Sequence, residues 1–297
     1  MSTVDKKSLR HEMYRKKIPR SYIAIFIVLV LFFVSFSYAV FGFYLENWYT
    51  GPARIAAKVL PMPAVIVENK VIWYRDISEF ANVFALAEED QGVELGDPFQ
   101  AALDRTVSNK HLLNFSKELG VDVSRQEIQD FVIDDVDLEE FLDRVGWSES
   151  QYRKFIVEPL LLAQESEDVI FASHEYQAES LKAIQNLEQD IGLGIRFEDL
   201  AIQYSDDVSG PAGGYLGFFT EDAMPEGLEH LFDAELAEPS EIIETEHSFM
   251  IAQVYDVIGY GEDRVSVALQ IITIKKTGLS DALDNFAEHQ SVRYLVR

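Results

Sequence analysis

Between Ser21 and Leu45 the chain runs for 25 residues without one charged side chain (SYIAIFIVLVLFFVSFSYAVFGFYL). A backbone surrounded by apolar groups must satisfy its own N–H and C=O groups, and a single isolated segment does so only as a helix. At about 1.5 Å per residue the run makes a helix of ~37 Å, enough to cross a bilayer with some tilt. Tyr44, Trp48 and Tyr49 fall where an interfacial aromatic belt belongs. The preceding residues 1–20 carry seven cations against Asp5 and Glu12. The positive-inside rule therefore puts this basic tail in the cytoplasm and the bulk of the chain outside, as a single-pass cell-membrane protein. A cleaved signal peptide is the alternative, with Ser37-Tyr38-Ala39 as a small-x-small site. The apolar run, however, is longer than a signal peptide's h-region and continues past that site, which favours an anchor.

The whole chain has a net charge of −26, and the basic tail's surplus of five leaves −31 on residues 21–297. Such a body repels nucleic acid and anionic lipid, which excludes a nucleic-acid binder and favours solubility or basic partners. There is no cysteine, so no disulfide framework and no thiolate nucleophile or metal ligand. The acidic run Asp134, Asp135, Asp137, Glu139, Glu140 lacks the alternating ligands and central glycine of a calcium loop, and reads as a solvated helix face. His111, His174, His230 and His289 show no ligand or triad spacing. No metal and no cofactor are expected.

After the apolar run, Gly51, Pro52, Pro61 and Pro63 mark residues 46–63 as a short stiff linker. Residues 64–72 (AVIVENKVI) read as strand, turn and strand. Helical spacing follows at Ile77, Phe80, Phe84 and again at Phe99, Leu103, Val107. Ser124-x-x-Glu127 and Ser148-x-x-Gln151 have the form of capping boxes, and Pro159 predicts a kink in the helix after the second. With its V-x-x-N opening, "KELGVDVSRQEIQDFV" and "FLDRVGWSESQYRKFIVEPLLLAQ", residues 64–170 resemble the N-terminal chaperone domain of the SurA/PrsA/PpiD type. That resemblance implies an apolar cleft that holds unfolded chains.

Residues 197–219 (FEDLAIQYSDDVSGPAGGYLGFF) read as an amphipathic helix Phe197–Tyr204, a polar loop closed by Gly213-Gly214, and a short apolar strand. A helix over Glu175–Gln189 precedes it. Strands are predicted at Tyr215–Phe219, Glu241–Thr245 and Phe249–Val257, with a short helix near Glu226–Phe232. The order and wording resemble a parvulin-type (PpiC) peptidyl-prolyl isomerase domain, over residues 171–275. The resemblance implies an α+β fold, a four-stranded antiparallel sheet wrapped by helices. The strand that opens such domains, of the form R-H-I-L-V, is missing before the first helix. Val265–Lys275 is the candidate to take its place from the C-terminal side, with Leu279–His289 a final helix. Ser291–Val296 is then expected to return and pair with Ala64–Glu68, so that residues 276–297 pack back on the chaperone-like domain.

Isomerisation must weaken an amide whose barrier, ~18–20 kcal/mol, comes from C–N resonance. A site does so by holding the proline ring in an apolar pocket and supporting a twisted amide with polar groups. The resemblance places Leu216, Met224 and Leu228 at proline-pocket positions, with Phe218 and Phe219 continuing the strand; all five also suit a core. It places Asp207 at a position held by Asp or Cys in active relatives, and Thr245 at one that is often Thr. The family's two histidines fall on Gln270 and Met250, which leaves the polar side of the site degenerate. His247, three residues before Met250, is the local histidine, though strand alternation turns it the other way. Three readings result: a membrane-anchored foldase with weakened prolyl isomerase activity acting on unfolded or nascent exported chains; a non-catalytic holdase or assembly chaperone on the same fold; and an envelope protein unrelated to folding, which the specificity of residues 197–219 makes the weakest.

Overall fold

The computed structural model describes residues 20–46, 49, 51–91, 96–131, 137–259 and 264–296. The basic tail through residue 19, Trp48, Asp134 and Asp135 lie outside the described residues. In chain order the elements are α1 (Arg20–Leu45), α2 (Gly51–Val59), β1 (Pro63–Val67), β2 (Lys70–Trp73), α3 (Tyr74–Gln91), α4 (Pro98–Glu118), α5 (Arg125–Asp130), α6 (Leu138–Val145), α7 (Glu149–Tyr152), α8 (Glu158–Ala172), α9 (Ala178–Gly192), α10 (Phe197–Tyr204), β3 (Tyr215–Phe219), β4 (Ile243–Glu244), β5 (Ser248–Ile258), β6 (Ser266–Lys275), α11 (Leu279–Glu288) and β7 (Val292–Tyr294). They form a mixed α and β fold with antiparallel sheets in two compact units. One unit draws on Met1–Asp104 and Val292–Arg297, the other on Arg105–Ser291. This division falls within α4.

In the first unit, β1 lies between β2 and β7, antiparallel to both. Alternation along β1 buries Val65 and Val67. They join Tyr74, Ile77 and Phe99 among its fully or nearly fully buried side chains, and the Tyr74 and Phe99 rings lie 5.2 Å apart. Phe26–Tyr44 within α1 is long and apolar enough to cross a membrane, and the described side chains from Phe26 to Phe41 are largely exposed. Its last turn behaves differently. Phe43 is buried edge-on against Tyr74 at 5.0 Å, and the Tyr44 hydroxyl donates to the Pro63 carbonyl at 2.9 Å.

In the second unit both capping boxes form. Ser124 and Ser148 accept from the backbone N–H groups of Glu127 and Gln151, whose side chains accept from the serine N–H groups in return. The kink expected from Pro159 takes the form of a π-turn over Arg153–Val157, in which the Glu158 N–H donates to the Arg153 carbonyl. Proline has no N–H to give to the carbonyl four residues back and its ring crowds that carbonyl, so the turn ahead of it widens. Ser116 of α4 and Ser166 of α8 meet at 2.8 Å between their buried hydroxyls. β3, β6, β5 and β4 lie side by side in that order in an antiparallel sheet.

Candidate functional site

The register of this sheet decides which side chains can act together. Directly opposed residues of an antiparallel pair share a face, and neighbours along a strand alternate. Phe249 opposes Ile274 and Ile251 opposes Ile272. Phe249, Ile251 and Ile272 are buried with Ile184 and Leu187 of α9 and Phe197, Leu200 and Ala201 of α10. The other face carries Met250 opposite Thr273, Ala252 opposite Ile271 and Val254 opposite Leu269. There, Ala252, Val254, Val267, Leu269 and Ile271 are buried with Leu228, Leu231 and Phe232, while Leu216, Phe219, Met224, Ile243 and Met250 pack against them, partly exposed.

This second face gathers four of the five apolar candidates, Leu216, Phe219, Met224 and Leu228, together with Met250. Phe218 is not among them. It opposes Ala268, whereas Phe219 opposes Val267, so Phe218 turns to the other side and is 45% exposed. An irregularity between Tyr215 and Gly217 brings Leu216 into the apolar group. A cleft of about 410 Å³, lined by His230, Leu231, Ala234, Pro239 and Ile243 among others, adjoins this cluster through Leu231 and Ile243.

The loop between α10 and β3 is fixed to the sheet by two glycines. Gly214 has φ of 78° and accepts from the Ile271 N–H at 2.9 Å, and a Cβ there would stand 2.2 Å from the Ile271 carbonyl oxygen. Gly213 has φ of 72° and its Cβ would press on Glu198 at 3.3 Å. Only glycine fits this backbone and this approach. Further along β6, the Thr273 N–H donates to Ser205 Oγ (3.1 Å), the Asp206 N–H donates to the Thr273 carbonyl (2.8 Å) and the Lys275 N–H donates to Asp206 Oδ2 (2.9 Å).

Asp207 is therefore held beside β6, half-buried, with Oδ1 accepting from the Ser209 N–H (2.8 Å) and Ser209 Oγ (2.6 Å). Thr245 sits in the β4–β5 turn, its hydroxyl engaged with the Ser248 backbone and hydroxyl at 2.8–3.1 Å. His247 in the same turn is 69% exposed and meets Phe171 edge-on at 4.9 Å. It is not part of the Met250 cluster.

Gln270 lies apart from Met250. It opposes Gln253, which puts it on the face away from Met250. Its amide is buried, accepting from Gln253 Nε2 (2.8 Å) and donating to the Gly213 carbonyl (3.1 Å). The two positions matched to the family histidines stand back to back, because 270 and the partner of Met250, 273, are an odd number of residues apart on an unbroken stretch of register. Ile271 and Thr273, which do share Met250's face, are β6 residues that sequence order does not single out. Alternation alone separates them from Gln270, but only register says which parity faces the pocket.

The face so assembled can seat an apolar ring; its polar member on β6 is Thr273, and His230 helps to line the adjoining cleft. Among the described residues no group of three or more His, Cys, Asp or Glu is placed to hold a metal ion.

Residues 150–258 match the family model described as the PPIC-type PPIASE domain. The chain thus carries a parvulin-type peptidyl-prolyl isomerase domain, and the matched segment ends before β6 begins. No curated protein matches the chain.

Proposed function

We propose that this protein is a membrane-anchored, extracytoplasmic folding factor that binds unfolded or proline-containing chains and isomerises prolyl bonds only weakly. The observation that carries this reading is the composition of the sheet face bearing Met250. Leu216, Phe219, Met224 and Leu228 give a proline ring an apolar seat there, within a domain of the isomerase family. The polar side is impoverished: Met250 offers a weak sulfur acceptor, Ile271 offers none, and Asp207 has one oxygen committed to Ser209. β6, between β3 and β5, is suited to take the role of the opening parvulin strand. The apolar α1 supports the anchor, and the sequence resemblance of residues 64–170 supports a chaperone-like part.

A second reading, a non-catalytic holdase, is favoured by one specific fact: Gln270 and Met250 are on opposite faces, so no polar pair spans the pocket. The full chain in detergent micelles, tested by protease-coupled prolyl isomerisation and by suppression of client aggregation, separates the two. Weak turnover with suppression is expected. Suppression without turnover leaves the holdase, and loss of both results removes the folding-factor reading.

A further inference from the structure

On the pocket face, β6 presents Val267, Leu269 and Ile271, and then Thr273. The first three are apolar and buried. Thr273 is 8% exposed, and its Oγ1 is fully enclosed with no hydrogen-bond partner among the described residues. Valine has nearly the same shape and would occupy this place without burying an unpaired hydroxyl. Buried polar groups are almost always bonded, and an exception calls for a physical reason. Capping of the local backbone is not that reason. The Thr273 N–H already donates to Ser205 Oγ, and its carbonyl already accepts from the Asp206 N–H.

The surroundings point to a ligand. Thr273 stands directly opposite Met250, whose side chain is partly exposed and belongs to the apolar pocket cluster. On its other flank runs the Ser205–Asp206 segment that leads into Asp207. Methionine is unbranched, with three rotatable bonds, and yields readily to a bound molecule. Displacing it would open the hydroxyl toward the row that contains Leu216, Phe219, Met224 and Leu228.

We propose that Thr273 Oγ1 is a ligand-contacting donor of the proline pocket: when a prolyl segment moves Met250 aside, the hydroxyl donates to a backbone carbonyl of the bound chain. This rests on the folding-factor reading above and adds the polar contact that reading lacks. The unmet bond in the free protein is then made in the complex, and its worth appears as affinity.

The test measures binding of a fluorescently labelled, unstructured peptide with one Ala-Pro bond to the full chain in detergent micelles, by anisotropy, beside thermal unfolding. Thr273→Val is expected to bind about five- to tenfold more weakly, the effect of one neutral hydrogen bond, while melting no lower than the parent protein. Thr273→Ser, which keeps the hydroxyl, is expected to bind like the parent. Should Thr273→Val fold poorly, Thr273→Ala compared with Thr273→Ser carries the same contrast. Unchanged affinity in the variants without a hydroxyl overturns the proposal, and so does a Thr273→Ser variant as weak as Thr273→Val. A parent protein that binds no prolyl peptide removes the underlying folding-factor reading as well, which is visible before any variant is made.

Discussion

Met250 and Gln270 stand on opposite faces of one sheet, Met250 across from Thr273 and Gln270 across from Gln253. Substituting both with histidine therefore cannot create a histidine pair.

Met250→His/Gln270→His is expected to turn over a prolyl peptide no faster than Met250→His alone in a protease-coupled assay. Gln270→His should also cost about 1–3 kcal/mol of stability, because it breaks buried bonds to Gln253 and Gly213. Urea denaturation reads this loss. A double variant that outruns the single one would show that the two side chains meet, against the β5–β6 register.

Gly214→Ala should be among the most damaging single changes in the sheet. The new Cβ would fall 2.2 Å from the Ile271 carbonyl oxygen at a backbone of positive φ. The positive φ alone costs on the order of 1 kcal/mol, and the overlap adds to it by forcing β3 and its loop away from β6. A midpoint in urea within error of the parent's would contradict the close approach.

The Ser116–Ser166 contact predicts an asymmetric mutant cycle. Ser116 Oγ donates to the Leu112 carbonyl at 2.9 Å, so Ser166 must be the donor in the 2.8 Å bond between them. Ser166→Ala removes one bond and should cost ~0.5–1.5 kcal/mol, whereas Ser116→Ala also orphans a buried donor and should cost ~1–3 kcal/mol. The double variant should cost less than the sum, as measured by equilibrium unfolding.

His111 supplies a pH dependence. It is buried, with Nδ1 unpaired among the described residues, and burial lowers its pKa below the ordinary imidazole value. The unfolded chain then binds the extra proton first, so stability rises with pH across the window from the lowered folded pKa up to roughly 6.5. On acidification through that window this contribution is lost. The melting temperature of the parent should fall between pH 7.5 and 5.5 by more than that of His111→Leu.

Local features of the chain were legible where chemistry is local. α10 runs over Phe197–Tyr204, as its apolar spacing predicts, and Ser124 and Ser148 cap as their spacing to Glu127 and Gln151 predicts. Val265–Lys275 was readable as a strand, observed as Ser266–Lys275. What depends on pairing was not readable. Phe218 and Phe219 are equally apolar neighbours, and only the opposition of Phe219 to Val267 says which enters the pocket cluster. Gln270 looks like a histidine substitute by sequence order, yet its face is set by a register that no single strand encodes. The unpaired hydroxyl of Thr273 could not be found from sequence either, since threonine is ordinary in strands.

The first unit's sheet has an order in time as well as in space. β1 meets β2 across a turn at Glu68-Asn69, but its other edge is taken by β7, with about 225 residues between Val67 and Val292. During synthesis that edge stands open, a template for any passing strand, until residues 292–294 arrive. Maturation of this sheet is therefore timed by the arrival of residues 292–294. The sheet of β3, β4, β5 and β6 can be complete while the first unit still waits for its third strand.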